Sequence, residues 1–388
     1  MITLGVVLVL LPVFFVVYSY FLYPGLLWLI GQFRKPSPPF ADPVEWPRIS
    51  ISLPAYNEER SIRRTIESLL CLDYPTDRRQ ILVVSDASTD QTDSIVREYA
   101  GRGVDLLRLP ARGGKTAAEN AAGPHLTGEI VINTDATIRI LPDALRPLIR
   151  VFQDSSIGVA SGRDRSVGDI TLEAGQGESG YVGYEMTVRR FETRLGGIVG
   201  ASGCFYAIRR DLHTSLFPEA LSRDFASALI SREHGYRSVS VDEAVCLVPR
   251  AVSLRAEYRR KIRTMARGLD TLWYKRRLLN PFRFAGFSVM LISHKLCRWL
   301  VFLTIPGAII GLLLLAPSSR VAQGLLGLTI AGCIAGVAAM KAAERGKVHR
   351  LVALWGYLFA SNLAGILAWV KALRGERNPI WEPTRRPV

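Results

Sequence analysis

Long apolar runs stand at both ends of the chain. Residues 2–30 are almost continuously apolar, and further stretches of about eighteen to twenty residues lie at 299–316, 321–340 and 351–370. Each is long enough to cross the hydrocarbon core of a bilayer. Buried core helices are the alternative, which three such stretches in succession disfavour. We therefore predict a membrane anchor at the N-terminus and about three membrane-spanning helices near the C-terminus.

The middle of the chain alternates short β-branched runs with helical patterns. Residues 49–53, 81–84 and 131–134 read as buried strands. The first run leads into a segment, from Ile62 to Leu70, whose apolar residues fall on one helical face. Strands that alternate with helices indicate a mostly parallel, doubly wound sheet whose strand ends share one edge.

Polar residues follow the C-terminal end of each predicted strand. They are Asn57, Glu58, Asp86, Asp90 and Asp135, and the shared edge should bring them together. A carboxylate at the end of a buried strand, such as Asp135, can hold a metal ion against phosphate oxygens. An isolated acid there would more often just open a loop, but Asp135 is not isolated. The edge is therefore predicted to bind a nucleotide-activated substrate.

Six ordered motifs carry a resemblance to a known family. They are LPAYNEE at 53–59, SDASTDQT at 85–92, GGK at 113–115 with Asn120, TDA at 134–136, SGCFYAIRR at 202–210 and RDF at 223–225. Over residues 47 to about 275 the chain resembles the family 2 glycosyltransferases, which are inverting enzymes. The resemblance implies an α/β GT-A domain, Rossmann-like with a mostly parallel sheet, joined to α-helical transmembrane segments.

The resemblance also implies a donor site at the strand ends. The nucleotide-sugar-binding residues would be Pro54, Tyr56, Glu58, Asp86, Lys115 and Asp135. Asp86 would contact the base, and Lys115 would offset diphosphate charge. Asp135 matches the first acid of the family's Asp-x-Asp metal motif, whereas Thr137 replaces the second. A divalent cation, Mg²⁺ or Mn²⁺, would then rely on Asp135, diphosphate oxygens and water.

Asp224 is the predicted catalytic base. Family members carry two acids here, and the second takes the proton of the attacking hydroxyl. Arg223 replaces the first acid, and its charge should favour the ionised form of Asp224. The alternative is that Asp224 only caps a helix that contains Ala226. Upstream, Ser202 and Gly203 resemble the turn that receives the acceptor.

Composition places the chain at a membrane surface. Its 388 residues combine a net charge of +15 with a mean hydropathy of +0.18. Eleven basic residues and two acids lie between positions 250 and 283, a balance that favours anionic membrane lipids. No recognition motif accompanies this charge, so nucleic acid is not an expected partner. Arg260 and Arg263 are predicted acceptor-binding residues, although the Gln-x-x-Arg-Trp signature of polymer-making relatives lacks its Gln and Trp.

Basic residues also bear on topology. Arg34 and Lys35 follow the first apolar run, and the loop 341–350 is basic, which places both in the cytoplasm. Four membrane spans would place the basic C-terminal tail outside the cell, which the positive-inside rule disfavours. The sequence therefore does not decide between three and four spans. Five scattered cysteines form no zinc or disulfide pattern, consistent with a reducing compartment.

These features predict six segments. They are an N-terminal transmembrane anchor (1–33), a Pro-rich linker (34–47), a cytoplasmic GT-A domain (48–250), a basic amphipathic interfacial segment (251–298), C-terminal transmembrane helices (299–373) and a basic tail (374–388). We expect a multi-pass protein of the cell (inner or plasma) membrane. It would transfer a sugar from a nucleotide sugar, such as a UDP-sugar, to a glycan or lipid-linked acceptor in cell-surface polysaccharide synthesis. The alternatives are single-sugar transfer to a polyprenyl phosphate and, in another class, a non-catalytic membrane scaffold or transporter.

Overall fold

A computed structural model describes most of the chain. It covers residues 1–34, 40–167, 174–214, 216–249, 254–345, 349–377 and 380. Residues 35–39 of the predicted linker, and all but five residues of the predicted basic tail, lie outside these ranges.

The centre of the described chain is an eight-stranded sheet. Its strands are β1 (Ile49–Ala55), β2 (Arg79–Ser85), β3 (Val104–Arg108), β4 (Ile130–Thr134), β5 (Arg139–Ile140), β6 (Ile157–Val167), β7 (Phe205–Arg209) and β8 (Arg237–Pro249). Their order across the sheet is β3-β2-β1-β4-β7-β6-β8-β5. The first four strands in that order are mutually parallel, as are β6 and β8, whereas β7 and β5 run antiparallel to their neighbours. The predicted mostly parallel sheet is confirmed.

Helices precede, cover and follow this sheet. In chain order they are α1 (Ile2–Val17), α2 (Tyr23–Gln32), α3 (Ile62–Leu70), α4 (Thr92–Arg97), α5 (Lys115–Ala122), α6 (Leu145–Arg150), α7 (Ala174–Leu195), α8 (Arg210–His213), α9 (Arg223–Glu233), α10 (Leu254–Tyr274), α11 (Pro281–Leu291), α12 (Cys297–Leu315), α13 (Arg320–Arg345) and α14 (Arg350–Leu373).

The inner strands are buried on both faces. On β2, Ile81 and Val83 join the core against α3 and α6, whereas Leu82 and Val84 join the core against α5 and α9. Successive side chains of a strand point to opposite faces, so a strand between two helical layers needs a continuous apolar run. This requirement explains the β-branched runs and places the strand ends at an open edge.

Four helices in the described residues are long and apolar enough to cross a membrane. They are Ile2–Gln32, Pro281–Leu315, Arg320–Ala343 and Arg350–Leu373. The second joins α11 and α12 through a π-helical turn at Ile292–Leu296. It therefore begins well before the predicted start at residue 299, and the predicted interfacial segment divides between α10 and α11.

A buried ionic cluster holds α7 against the first and second of these helices. Glu185 accepts hydrogen bonds from His294 Nε2 at 3.1 Å and from Arg298 Nη1 at 2.8 Å. Glu192 accepts from Tyr23 Oη at 2.6 Å and from His294 Nδ1 at 2.7 Å. Burial opposes ionisation of Glu185, but the cations around it hold the pKa of its carboxyl well below the usual range. These charges are therefore neutralised within the structure.

The described end of the predicted linker packs on the sheet domain. Trp46 meets Tyr74 edge to face, with ring centroids 5.5 Å apart, and Phe40 packs against the same core. Residues 40–47 are thus part of the folded domain rather than a free spacer.

Candidate active site

The loops that follow β1 and β2 are tied to each other. Asn57 Oδ1 accepts from Thr89 N at 2.8 Å, and Glu58 N donates to Thr92 Oγ1 at 2.8 Å. Asn57 and Ala87 have φ values of 52° and 56°. A non-glycine residue in this region costs about 1–3 kcal/mol and is common at functional sites. The sheet edge therefore carries a fixed, strained pair of loops.

Asp86 shapes the glycine turn that precedes α5. Its Oδ1 accepts from Gly113 N and its Oδ2 from Gly114 N, both at 2.8 Å. Gly114 has a φ of 94°, a conformation that residues with a side chain rarely adopt. The turn places Lys115 at the first position of α5.

The remaining predicted nucleoside residues lie in or beside β1. Pro54 is buried within the strand. Tyr56 stacks with the guanidinium of Arg112, which lies 3.8 Å from the ring centroid. Glu58 is buried and accepts from Ser61 Oγ at 2.6 Å. Sequence reasoning did not select Arg112, because its partner is distant in the chain.

A cavity of about 270 Å³ opens beside the end of β4. Six predicted site residues line it, namely Lys115, Asp135, Gly203, Asp224, Arg260 and Arg263. Residues separated by more than a hundred positions thus meet in one concave space, as expected for a ligand site.

Lys115 and Gly203 lie between Asp135 and Asp224 in this cavity. Lys115 Nζ donates to Asp135 Oδ1 at 2.6 Å and to Gly203 O at 2.9 Å. Burial disfavours the ammonium, but attraction by Asp135 and other nearby acids raises the pKa of Lys115 above its usual value. A Cβ on Gly203 would lie 2.5 Å from Asp224 Oδ2, so any larger residue here would displace that carboxylate. The cavity thus holds a charged lysine between two carboxylates.

Asp224 lies in the first turn of α9. The helix begins at Arg223, so its N-cap residue is Ser222 and not Asp224. Asp224 Oδ1 accepts from Ser222 Oγ at 2.5 Å and from Phe225 N at 2.8 Å. Its Oδ2 faces Gly203.

Arg223 is buried and also lines the cavity. It donates to His213 O and to Asn120 Oδ1, both at 2.6 Å. Its Nε lies 4.0 Å from Glu119 Oε2. Burial raises the pKa of the Glu119 carboxyl, against the attraction of Lys115 and Arg223. The guanidinium of Arg223 therefore pairs with Glu119, although Arg223 is the sequence neighbour of Asp224.

Asp164 on β6 also lines the cavity and was missed from the sequence. Its Oδ1 accepts from Ser202 Oγ at 2.6 Å and from Cys246 Sγ at 3.4 Å. Burial raises the pKa of Asp164, against the attraction of Arg189. Asp164 thus fixes the turn that contains Ser202 and Gly203. No local motif marks it, since its partners Ser202 and Cys246 are distant in the chain.

Three arginines of α10 form one wall of the cavity. This arginine row consists of Arg260, Arg263 and Arg267. Arg260 is paired with Glu257 at 2.7 Å. Arg267 Nη2 donates to Thr116 Oγ1 at 3.0 Å, at the start of α5. The wall is positively charged and faces the predicted diphosphate residue Lys115.

The residues near Asp135 fit a divalent cation shared with a ligand. One Asp135 oxygen holds Lys115, and the hydroxyl-bearing Thr137 lines the same cavity. Among the residues that the structure describes, no group of three or more His, Cys, Asp or Glu could hold a metal ion. A carboxylate and a hydroxyl are hard oxygen ligands, and Mg²⁺ accepts water and phosphate oxygens at its other positions.

Comparison with known proteins now identifies the domain. Residues 50–217 match the family model described as glycosyl transferase family 2. The chain carries a family 2 glycosyltransferase domain. The sequence resemblance stated above is confirmed.

Two curated relatives are similar over this domain. The β-monoglucosyldiacylglycerol synthase of a Nostoc species is 29% identical over 169 residues, covering 42% of this chain and 36% of that protein. The hyaluronan synthase of Streptococcus pyogenes is 28% identical over 178 residues, covering 42% of this chain and 41% of that protein. The chain therefore matches less than half of the length of either relative.

A solved structure is similar over nearly the whole chain. It is a mannosyltransferase from Pyrobaculum calidifontis in complex with GDP-Man and Mn²⁺, with a TM-score of 0.71 and 24% identity. The match covers 95% of this chain and 100% of that one. The likeness in fold therefore extends beyond the sheet domain to the apolar helices.

Proposed function

We propose that the protein is a membrane-embedded glycosyltransferase that moves a sugar, with inversion, from a nucleotide sugar to a lipid-linked acceptor. The observation that carries this proposal is the placement of Asp135, Lys115, Gly203 and Asp224 side by side, with Lys115 bonded to Asp135 and Gly203, and Asp224 facing Gly203. It lies in a cavity at the strand ends of a family 2 glycosyltransferase domain. A UDP-sugar is the proposed donor.

The donor would lie across the strand ends. Tyr56 and Asp86 would face the nucleoside with Pro54 and Glu58 beside them, and Lys115 would offset the diphosphate charge. A Mg²⁺ or Mn²⁺ ion held by Asp135 and the diphosphate would neutralise charge on the leaving group. The partly buried, charged Lys115 supports this assignment, because its side chain lines the cavity and its ammonium is paired there with Asp135.

Asp224 is the proposed base. The acceptor hydroxyl oxygen forms a bond to the anomeric carbon while the bond from that carbon to the diphosphate oxygen breaks on the opposite face. The hydroxyl proton passes to Asp224 Oδ2. Hydrogen bonds to Oδ1 from Ser222 and Phe225 support this role, since they leave Oδ2 directed toward Gly203. Ser202 and Gly203 would then form the floor under the acceptor.

The position of α10 favours an acceptor that arrives from the membrane surface. The helix presents the arginine row to the cavity and packs through Leu254 and Tyr258 on Tyr357 and Ala360 of the apolar helix α14. An acceptor with a lipid tail could thus keep the tail in the bilayer. The arginine row also favours a second candidate, a polyprenyl phosphate, because guanidinium groups bind phosphate well.

We place the reaction on the cytoplasmic side of the cell membrane. Arg34 and the basic stretch 341–350, at the junction of α13 and α14, support this orientation through the positive-inside rule. The four apolar helices support a multi-pass protein.

The test uses the full-length protein in lipid nanodiscs. UDP-glucose, UDP-N-acetylglucosamine and GDP-mannose are supplied in turn with diacylglycerol or a short polyprenyl phosphate. Nucleoside diphosphate release and the mass of the lipid product are measured. We expect one donor to give a lipid carrying one added sugar. Absence of both hydrolysis and transfer with every donor would favour the scaffold alternative and overturn the proposal.

A further inference from the structure

Lys261 joins α10 to the last apolar helix. Its Nζ donates to Tyr357 Oη at 2.9 Å and to Ser361 Oγ at 2.7 Å, and it lies 4.0 Å from the centroid of the Tyr357 ring. Tyr357 and Ser361 are four residues apart, so they share one face of α14. A lysine against a membrane-spanning helix is costly unless it is paired. These contacts therefore define a specific docking point.

The docking point and the arginine row lie on different faces of α10. Leu254, Tyr258 and Lys261 contact α14 or its neighbours. With 3.6 residues per turn, the centre of this face lies roughly 150° from the centre of the arginine row. When the face with Lys261 is fixed on α14, α10 cannot rotate about its axis, so the face that carries the arginine row has one orientation. The contact with α14 thus determines where the arginines point.

The far end of α10 holds the segment that leads to the proposed base. Arg267 Nη2 donates to Leu221 O, and Thr271 Oγ1 accepts from Ser222 N at 2.9 Å. Ser222 Oγ in turn donates to Asp224 Oδ1 at 2.5 Å. A continuous series of contacts therefore runs from α14 through α10 to Asp224.

We propose that Lys261 is a positioning residue for this reaction, an inference that rests on the function proposed above. Its ammonium fixes the rotation of α10, and α10 fixes both the arginine row and the segment from Leu221 to Asp224. The nucleoside loops after β1 and β2 are held by their own hydrogen bonds. Loss of the Lys261 contact therefore affects the acceptor side of the cavity, while the nucleoside loops stay in place.

The test compares Lys261→Met with Arg259→Met in full-length protein in nanodiscs. Arg259 is an exposed cation on the same helix, so its variant controls for lost charge and helix propensity. Amide hydrogen exchange is followed by mass spectrometry in peptides that cover residues 217–227, together with UDP affinity and nucleoside diphosphate release. For Lys261→Met we expect faster exchange in these peptides and UDP affinity within about twofold. Turnover should fall about tenfold or more, because small misplacement of a catalytic group is that costly.

Lys261→Arg keeps a cation that both hydroxyls can accept from, and it should recover most of the lost turnover. If Lys261→Met fails to fold, the Tyr357→Phe, Ser361→Ala double variant removes both acceptor hydroxyls with little change in volume. Exchange equal to that of Arg259→Met would overturn the proposal. So would faster exchange throughout the sheet domain with loss of UDP affinity, since that pattern marks a general structural role. If no donor is turned over, the proposed function fails, while the exchange comparison still decides the role of Lys261.

Discussion

At the scale of single residues, the two oxygens of Asp224 have different surroundings. Oδ1 is held by Ser222 and Phe225, while Oδ2 faces Gly203 in the cavity. We predict that Asp224→Asn keeps nucleotide-sugar affinity within a few fold and lowers turnover by roughly 10² to 10⁴, the usual contribution of a positioned base. Calorimetry and product release measure the two effects. Asp211→Asn, an exposed acid of the same domain, is the control, and equal turnover in both variants would exclude the base.

A substitution at Gly203 tests how closely this residue approaches the Asp224 carboxylate. A methyl group at Gly203 would lie 2.5 Å from Asp224 Oδ2, which must then move. We predict that Gly203→Ala lowers turnover by about 10²-fold, the scale expected for a catalytic group displaced by an ångström. Gly101→Ala is the matched control, since an added Cβ there meets no atom within 4 Å. A Gly203→Ala enzyme as active as the control would contradict this geometry.

His213 makes stability depend on pH. Burial, together with the nearby Arg223, holds the pKa of His213 well below its usual range, and its Nε2 donates to Asn133 Oδ1 at 3.0 Å. The unfolded chain binds a proton near pH 6.5 while the folded chain does not, so stability is full above that pH and is lost as the pH falls through it. We expect a loss of up to about 1.4 kcal/mol per pH unit below 6.5. The melting temperature of His213→Asn should depend less on pH between 7 and 5; an unchanged dependence would contradict the assignment.

At the scale of elements, the strands were predictable because strands buried on both faces require uninterrupted apolar runs. Residues 81–84 and 131–134 fall within β2 and β4. The polar residues after them meet at one edge, as parallel strands require. Asp164 and Arg112 were not predictable, because their partners Cys246 and Tyr56 come from distant segments. The direction in which Arg223 extends also depended on buried partners, Glu119 and Asn120, that no local pattern reveals.

Packing of α1 on α12 offers a prediction about the apolar helices. A Cβ on Gly311 would lie 2.7 Å from Gly5 O, so the two backbones meet with no room for a side chain. We expect Gly311→Ala to destabilise the protein by about 1–3 kcal/mol, the usual cost of overpacking. Gly324→Ala on α13 adds the same methyl group where nothing lies within 4 Å. Thermal unfolding in detergent should separate the variants, and equal melting temperatures would refute the close contact.

At the scale of the whole molecule, one apolar helix contains charged residues that are paired with acids distant in the chain, so the sequence alone does not reveal its full length. His294, Lys295 and Arg298 lie within the apolar helix Pro281–Leu315 and lower its hydropathy. For this reason the sequence predicted that the membrane span begins only at residue 299. Their counter-charges are Glu185 and Glu192, about a hundred residues earlier. Only the folded structure shows that these charges are neutralised. The same cluster joins the sheet domain to the apolar helices.

Because the sheet domain is joined to the apolar helices, we can predict whether the protein stays with membranes during fractionation. Apolar helices with all backbone groups hydrogen-bonded internally have no favourable aqueous state. We expect the full-length protein to remain with membranes after alkaline carbonate washing and to be released only by detergent, as followed by immunoblotting of pellet and supernatant. Recovery of the intact protein in the aqueous supernatant would contradict a membrane location for the four apolar helices.

The stereochemistry of the lipid product tests the central claim most directly. Direct displacement assisted by Asp224 inverts the anomeric centre, so an α-linked nucleotide sugar must give a β-glycoside. The anomeric proton of the purified product, observed by nuclear magnetic resonance, distinguishes the two configurations. A β-linked product is the predicted result. An α-linked product would show that the sugar does not pass in one displacement from the donor to an acceptor deprotonated by Asp224.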